Sequence, residues 1–562
     1  MNPLTRLLDS SIRFETQYAE HLLNRFRYLS YPGARIPVET EWVEPRGMRA
    51  ALAASARLVV TGAAGTGKTT LLTALAITYA RQVRVTPRTA LPLYFSAREL
   101  QTLPRITDLP RGLNLRDDLA AQCPRIFFAD VFSGGRARVL IDDADGLAPE
   151  HLQAILREYK DAHIIATAQT ALPGFDEFAL PGFRDGDLEL FARNLNTPHA
   201  ATFLAALRAN NVPRTLTANP MTFGLLAHIW RSDQALPTDR TQLFEQYAQG
   251  ILGDNDETAK VLETIALALQ QGGVASNEYL ARGRGFLRAG KNRTADFVHE
   301  LWQAYFAARA LRAANTPLWR DHLDDPAWRE TILFYAGLGD AEPLVTELLT
   351  RGDPSFAGLV VAHAREAHAE WRETITRKLV ALAWAGDANA IAALAQMQSD
   401  SAVDGFAAQL KMQDPAVRMR AAHILGALQL DRGIEYLLPQ LRDLNPDVRD
   451  QVVAALGNAR TDRVIEPLLV ALRGDPRGGA VDTRMRVAAA RALGMIASDK
   501  ALPALVVDLQ IGEPPVRAVA AEALKRLPSP LLSAPLTGLL RAEDAAVRQA
   551  AADVLAVLNG TH

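Results

Sequence analysis

The feature of this sequence that most constrains its fold is a glycine-rich octapeptide at residues 62–69. Its letters, G-A-A-G-T-G-K-T, match the pattern G-x-x-x-x-G-K-[ST] in full. An aliphatic run at residues 57–60 precedes it and predicts a buried strand, and aliphatic residues at helical spacing follow it. Strand, glycine loop and helix stand in the order that a phosphate-binding loop requires, which predicts a parallel α/β sheet.

Each residue type in the octapeptide has a chemical reason. Glycines let backbone N–H groups curl around phosphate oxygens, and the following helix adds the positive end of its dipole. We expect Lys68 to reach the β- and γ-phosphates of ATP, and the Thr69 hydroxyl to coordinate Mg²⁺. The predicted nucleotide contacts in this region are Gly62, Ala63, Ala64, Gly65, Thr66, Gly67, Lys68, Thr69 and Thr70.

A second buried run, residues 138–141, ends in a group of aspartates. A phosphate-binding loop needs a carboxylate at the end of a neighbouring strand to hold hydrated Mg²⁺. We assign Asp142 to that ion, together with Thr69. Asp143 and Asp145 remain alternatives for orienting the attacking water, so the predicted catalytic residues are Lys68, Asp142, Asp143 and Asp145.

Two further runs, residues 91–95 and 163–167, also have the composition of buried strands. The second is followed by Gln169, at a place where a polar side chain can sense the γ-phosphate. The sequence therefore predicts a parallel sheet with helices on both faces and the ligand at the carboxyl ends of its strands.

These motifs resemble those of the NACHT branch of the STAND NTPases. Residues 93–100 are similar to the second strand of that family, and residues 139–147 resemble its extended acidic motif, with Asp142 and Asp145 at the two aspartate positions. Asp143 replaces a small residue, Gly146 replaces a glutamate, and Gln169 stands where the family has an arginine. The last two differences argue against rapid hydrolysis and leave nucleotide binding intact.

The resemblance continues downstream, to approximately residue 312. Residues 219–222, N-P-M-T, are similar to the N-P-L-x-L motif of the family's helical domain, which implies that Pro220 lies near the adenine. Residues 297–308 are similar to the motif F-x-H-x-x-x-Q-E-Y-F-A-A of its winged helix. That match implies that His299 touches the β-phosphate of ADP in a closed resting state.

A repeat occupies the last third of the chain. Its marker arginine recurs after a short D-P-x-V-like segment, at Arg418, Arg449, Arg486, Arg517 and Arg548, and the one longer interval carries an insertion near residues 477–481. Two short helices per period, with proline opening the second, predict an α-solenoid that resembles HEAT repeats. We interpret the arginines as structural, each bonding a neighbouring turn or an acid of the next unit, rather than as phosphate or nucleic-acid contacts.

The predicted fold class is therefore multidomain α/β plus α. Its parts are a short N-terminal helical segment (1–45), a NACHT-type phosphate-loop sheet domain (46–180), a helical domain (181–252), a winged helix (253–315), a helical connector (316–400) and HEAT-like repeats (401–562). Residues 325–329, D-P-A-W-R, read as a degenerate repeat that joins the winged helix to the array. The short first segment leads us to expect that the output comes from a partner, from an oligomer or from the repeats.

Composition limits the partners. The net charge is −2, from 61 basic and 63 acidic side chains, which argues against nucleic acid as a partner. The chain has 1 cysteine, so neither an internal disulfide nor a cysteine-based zinc site can form. Because no apolar run reaches the roughly 20 residues of a membrane helix, we expect a cytoplasmic protein without membrane contact.

Two functions remain open from the sequence. The first is a signalling switch and slow ATPase with ATP/ADP and Mg²⁺ as cofactors, closed with ADP at rest. It would sense a protein or other ligand on the HEAT-like surface and open or form a homo-oligomer with ATP, by analogy in bacterial defence. The second is a repeat scaffold whose nucleotide is structural and never turns over. This sequence lacks the motifs that a nucleic-acid-stimulated motor or a transporter ATPase would carry.

Overall fold

The computed structural model describes residues 3–32, 34–38, 43–45, 47–101, 109, 113, 115, 117–180, 182–195, 200–230, 235–290, 293–365, 369–459, 461–473, 483–496, 498–527 and 529–559. The chain divides into two compact units. The first consists of Met1–Gly182, Glu189–Ala201 and Asn219–Gly224, and the second of Phe183–Leu188, Thr202–Ala218 and Leu225–His562. The predicted insertion near residues 477–481 lies outside the described residues.

A parallel sheet forms the centre of the first unit. In chain order the strands of this unit are β1 (Tyr28–Tyr31), β2 (Ala34–Pro37), β3 (Arg57–Thr61), β4 (Leu91–Ser96), β5 (Ala137–Asp142), β6 (His163–Ala168) and β7 (Asp176–Ala179). The first two pair as an antiparallel hairpin, and the other five form one sheet in the order β4-β5-β6-β3-β7 with every pairing parallel. The predicted parallel α/β sheet and its four buried runs are confirmed.

The order of the strands corrects one expectation. We placed the strand that ends in Asp142 next to the strand that leads into the glycine loop, but β6 lies between β3 and β5. The register pairs β3 with β6 over Arg57 to Thr61 and β5 with β6 over Arg138 to Ile141. Spacing along the sequence does not reveal lateral order, because a crossover helix can return the chain to either side of an existing strand.

Edge strand β7 and the hairpin were not predicted. Residues of β7 are mostly exposed, and the strand begins with Asp176 and Glu177. A strand of four residues without a buried apolar face carries little of the alternation from which strands are inferred. It nevertheless pairs in parallel with β3, which places the glycine-loop strand inside the sheet rather than at its edge.

The sheet is covered by helices on both faces, as predicted. Alternate strand residues point to opposite sides, so Val59, Leu93 and Ile141 join one apolar cluster while Leu58, Tyr94 and Leu140 join another. Up to residue 182, the described helices of this unit are Pro3–Arg25, Met48–Ala54, Lys68–Val85, Ala97–Leu100, Asp117–Ala121, Phe127–Ser133 and Pro149–Glu158.

The N-terminal helix Pro3–Arg25 is part of this core rather than an appendage. Phe14, Tyr18 and Leu22 are buried in the same apolar cluster as one face of the sheet. The Tyr18 hydroxyl donates to the Pro92 carbonyl of β4 at 2.8 Å. The structured sheet domain therefore includes residues that we assigned to a separate first segment.

In the described residues of the second unit, helices predominate and one small sheet is present. Helices Asp185–Asn194, Ala200–Ala209, Arg214–Thr217 and Pro220–Ile229 follow the parallel sheet along the chain, some of their residues belonging to the first unit. Within the range predicted as a winged helix lie the helix Asp256–Gln270, the strands β8 (Ala275–Ser276), β9 (Leu287–Ala289) and β10 (Thr294–Phe297), and the helix Glu300–Ala313. The three strands are antiparallel in the order β8-β10-β9.

Helices continue from residue 329 towards the C-terminus. Their bounds are Arg329–Gly337, Glu342–Thr350, Pro354–His363, Ala369–Ala385, Ala388–Met397, Asp400–Gln409, Pro415–Leu428, Asp431–Leu437, Pro446–Gly457, Ile465–Arg473, Thr483–Ile496, Leu502–Ile511, Pro514–Lys525, Ser533–Leu539 and Ala545–Asn559. Pro415, Pro446 and Pro514 each open the second helix of a repeat, where proline's missing N–H costs nothing. Among the helices of the described residues, none is long and apolar enough to cross a membrane.

Candidate functional site

The glycine loop, residues 62–69, joins β3 to the helix Lys68–Val85. Gly65 and Gly67 have φ angles of 77° and 93°, a region that side chains with a Cβ rarely adopt. A Cβ on Gly65 would also lie 2.9 Å from the Asn219 Oδ1 atom. Glycine therefore allows the loop to close into this curve without strain.

Lys68 lies over the loop that precedes it. Its Nζ atom donates to the carbonyl oxygens of Gly62 at 2.7 Å and Ala63 at 3.0 Å, and the residue is only 7% exposed. A buried ammonium needs such acceptors, because an unpaired buried charge is strongly unfavourable. Phosphate oxygens are equivalent acceptors for the same three donors.

Asp142 stands at the carboxyl end of β5 and is the centre of a hydroxyl network. Its Oδ1 atom accepts from the Thr69 hydroxyl at 3.1 Å and from the Thr167 hydroxyl at 2.8 Å. Its Oδ2 atom accepts from the Tyr94 hydroxyl at 2.8 Å. The structure thus brings the two predicted metal ligands, Thr69 and Asp142, into direct contact.

The donor chemistry beside Thr69 fits a magnesium ion. Both ligand candidates offer oxygen, which Mg²⁺ prefers, and sites of this type use one or two carboxylates while water and phosphate supply the rest. Among the described residues, no group of three or more histidine, cysteine, aspartate or glutamate side chains could hold a metal alone. Thr69 and Asp142 would hold such an ion, with water and phosphate oxygens completing its coordination.

Asp143, Asp145 and Gln169 surround the same edge of the sheet. Asp143 has a φ of 56°, and its backbone N–H donates to the Thr167 hydroxyl at 3.0 Å. The Asp145 carboxylate accepts the backbone N–H of Gln169 at 2.9 Å, which ties the acidic turn to the end of β6. The side chains of all three residues are exposed. This contact anchors the acidic turn, and the roles of Asp143 and Asp145, as alternatives for orienting the attacking water, stay predictions.

Pro220 is connected to the glycine loop through its neighbours. The Asn219 Nδ2 atom donates to the Ala64 carbonyl at 3.0 Å, and the Met221 backbone N–H donates to the Gly65 carbonyl at 3.2 Å. The Asn219 Oδ1 atom accepts the Met221 N–H at 3.0 Å, as an N-cap does. The start of the helix Pro220–Ile229 is thus bonded directly to the loop.

His299 belongs to the second unit. It caps the helix Glu300–Ala313, because its Nδ1 atom accepts the backbone N–H of Leu301 at 3.1 Å. A ring nitrogen that accepts is unprotonated, so the capping geometry selects the tautomer with its proton on Nε2. The predicted contact with ADP stays a prediction.

Three residues of this site were not predicted. Tyr94 lies in a strand that is otherwise largely apolar. Thr167 lies at the end of β6, where the prediction used Gln169 instead. Asn219 precedes the proline of its motif, and the prediction used that proline. The available signal was the alternation of β4, which places a polar hydroxyl on the same face as the Asp142 side chain. That signal becomes useful only once β4 is known to lie beside β5, the strand that ends in Asp142.

The C-terminal helices repeat as pairs, and their second helices pack in succession. A family model described as HEAT repeats matches residues 434–507 and 479–556. The C-terminal region is a HEAT-repeat array. The search of curated proteins found no match.

Solved structures give weaker likenesses. An engineered protein is 24% identical, with 39% of this chain and 97% of its own covered and a TM-score of 0.23. A second engineered protein is 18% identical, with 66% and 96% covered and a TM-score of 0.24. Human deoxyhypusine hydroxylase in complex with glycerol is 19% identical, with 39% and 99% covered and a TM-score of 0.16.

Inside the HEAT array, the recurring arginines bond internally, as predicted. Arg418 holds both carboxylate oxygens of Asp443, at 2.7 and 2.9 Å, and donates to two carbonyls of the preceding turn. Arg486 bonds Asp508 at 2.8 Å and Arg517 bonds Asp544 at 2.8 Å. Arg449 and Arg548 bond turn carbonyls. These hydrogen bonds and ion pairs of the arginines stabilise the repeats.

Proposed function

We propose that this chain is a NACHT-type P-loop NTPase that binds ATP or ADP with Mg²⁺ and acts as a signalling switch. The observation that carries the proposal is the meeting of Lys68, Thr69 and Asp142 at one edge of a parallel sheet with a glycine loop. Lysine for the phosphates, hydroxyl and carboxylate for the metal are the groups that phosphoryl transfer requires.

The switch has an ADP-bound closed state at rest and an ATP-bound open state that forms a homo-oligomer. A ligand on the HEAT repeats, a protein or another molecule, favours opening. Moving such an equilibrium from 1:99 to 99:1 takes about 5.5 kcal/mol of difference in binding, which ATP and ligand can share. The bacterial defence role rests on resemblance alone.

The bonds from Asn219 and Met221 to the glycine loop support a switch. A loop that changes its curvature around phosphates must also change these two bonds, because they end on its Ala64 and Gly65 carbonyls. The start of the helix Pro220–Ile229 therefore senses the state of the loop.

A specific observation also favours the alternative of a structural nucleotide in a repeat scaffold. Gly146 supplies no carboxylate in the acidic turn, and Asp145 is bonded to the backbone of Gln169. Fewer side chains to orient the attacking water make hydrolysis slow. In this alternative the nucleotide stabilises the sheet and its exchange changes nothing else.

Two measurements separate these functions. We expect purified protein to release ADP, to be monomeric with ADP, and to form oligomers only with a slowly hydrolysed ATP analogue together with an activating ligand. The test covers nucleotide identity by chromatography and mass by light scattering, with candidate ligands added. A protein that holds ATP and keeps one mass under every condition contradicts the switch.

Replacing the lysine of the loop tests nucleotide binding itself. Lys68→Ala removes the buried ammonium, so we expect ATP and ADP affinity to fall at least tenfold, about 1.4 kcal/mol. The measurement is titration calorimetry. Lys160→Ala, at an exposed lysine of the same unit, is the matched control and leaves affinity unchanged. Equal affinity in the two variants contradicts the proposed site.

A further inference from the structure

Both oxygens of the Asp142 carboxylate are held by hydroxyls from the adjoining strands. Tyr94 lies on β4 and donates to Oδ2 at 2.8 Å, and Thr167 lies on β6 and donates to Oδ1 at 2.8 Å. Thr167 is fully buried, and Asp142 and Tyr94 are each 7% exposed. We call Tyr94 and Thr167 together the hydroxyl clamp.

The register of the sheet explains why a tyrosine can reach. β4 and β5 pair Tyr94 with Leu140 and Ser96 with Asp142. Leu140 and Asp142 are two residues apart, so their side chains share a face with Tyr94. A diagonal neighbour is within reach of a long aromatic side chain, whereas a serine or threonine at position 94 would be too short.

A phenol hydroxyl has one proton to donate, and that of Tyr94 is directed at the Asp142 carboxylate. Oδ1 lies on the side of Thr69, and Oδ2 on the side of Tyr94.

We infer that the hydroxyl clamp is a positioning device for the metal: Tyr94 and Thr167 fix the rotation of the Asp142 carboxylate so that Oδ1 faces the ion beside Thr69. This inference rests on the proposed function. Groups that orient a metal ligand through hydrogen bonds typically contribute 10- to 100-fold to metal affinity. Tyr94 donates to the predicted metal ligand Asp142, so we expect its effect to be specific to the metal.

The test compares two buried tyrosines of the same unit. Tyr94→Phe deletes only the hydroxyl on Asp142, and Tyr18→Phe deletes the hydroxyl that donates to the Pro92 carbonyl at 2.8 Å. The probe is the affinity of fluorescent ATP for the full-length protein, measured against Mg²⁺ concentration and again in EDTA. Thermal midpoints report any loss of folding for each variant.

We expect Tyr94→Phe to raise the Mg²⁺ concentration needed for half-maximal tightening by about tenfold, with affinity in EDTA unchanged. Tyr18→Phe lowers the midpoint similarly and leaves the Mg²⁺ curve in place. In an Asp142→Asn background, Tyr94→Phe causes no further shift of that curve. Superimposable Mg²⁺ curves for the two tyrosine variants overturn the inference.

Thr167→Val gives a second reading if Tyr94→Phe does not fold. It removes the hydroxyl on Oδ1, so the Mg²⁺ curve shifts at least as far while affinity in EDTA stays the same. An unshifted curve in this variant overturns the clamp. If the wild-type protein binds no ATP, with Mg²⁺ or with EDTA, the proposed function is refuted instead. That outcome differs from failure of the clamp, because it is seen in the wild type and not only in a variant.

Discussion

In the second unit, burial and neighbouring charges together set the pKa values of a group of side chains, Arg240, Glu330 and His363. The Arg240 Nη1 atom lies 2.8 Å from the Glu330 Oε2 atom, and the Arg240 guanidinium carbon is 4.4 Å from the centre of the Phe334 ring. Burial opposes ionisation of Glu330, yet Arg240 and His363 keep its pKa below the ordinary value. The His363 Nδ1 atom donates to the Leu359 carbonyl at 2.9 Å, since a carbonyl can only accept.

This group predicts a pH dependence of stability. Burial, and then the Arg240 charge, lower the pKa of His363 to about 4, against about 6.5 when unfolded. The unfolded chain therefore binds an extra proton as pH falls below about 6.5, and stability decreases by up to about 3 kcal/mol on approaching pH 4. Urea unfolding of wild type and His363→Gln between pH 7 and 5 measures it, with a flatter slope expected for the variant.

The lowered pKa of Glu330 also makes the unfolded chain bind a proton before the folded one, but this contribution develops around the unfolded value of about 4.3 and is small above pH 5. His423→Gln, at an exposed histidine of the HEAT array, is the matched control and should keep the wild-type slope. Equal slopes for wild type and His363→Gln contradict the assignment.

At the scale of elements, glycine sets the spacing of the HEAT repeats. A Cβ on Gly426 would lie 2.5 Å from the Ala455 Cβ, and one on Gly494 would lie 2.5 Å from the Ala523 Cβ. Gly457 approaches Ala492 in the same way, at 3.1 Å. Each glycine follows its repeat arginine by eight residues, so the same contact joins successive second helices. Close backbone approach, rather than a turn, is the reason for these glycines.

Substitution of one such glycine tests the packing. Gly426→Ala raises helix propensity by about 1 kcal/mol but forces the two helices apart, at a cost of about 1–3 kcal/mol. We expect a net loss of stability in chemical denaturation. Gly405→Ala is the control, because a Cβ there meets nothing within 4 Å and the variant should gain stability. Ala455→Gly should partly restore Gly426→Ala; a gain from Gly426→Ala alone contradicts the contact.

At the scale of the whole molecule, the chain leaves and re-enters the first unit. Residues 189–201 and 219–224 belong to the first unit, while the segments on either side of them belong to the second. The helix Pro220–Ile229 consequently starts in one unit, bonded to the glycine loop, and ends in the other.

The proposed switch also predicts the behaviour of His299 variants. His299→Leu removes both the imidazole and the cap on Leu301, whereas His299→Asn keeps a capping oxygen. If the imidazole contacts ADP, both variants release ADP about tenfold more readily, about 1.4 kcal/mol, and assemble without a ligand. Only His299→Leu should also lose about 1 kcal/mol of stability. Normal ADP affinity in His299→Asn refutes the contact.

The sequence by itself determined the local elements. Hydrophobic periodicity and the glycine, proline and arginine positions placed the sheet strands, the glycine loop and the HEAT repeats, because those signals depend on neighbours within a few residues. The sequence also predicted Lys68, Thr69 and Asp142 as site residues, because short motifs identify them. The internal bonding of the repeat arginines followed from their period.

Only the tertiary structure decided what lies beside what. Strand order put β6 between the loop strand and the Asp142 strand, and packing placed the N-terminal helix in the core of the sheet. The clamp of Tyr94 and Thr167, and the bond from Asn219 to the loop, join residues far apart in the chain. Such contacts depend on lateral order and register, which periodicity along one strand does not encode.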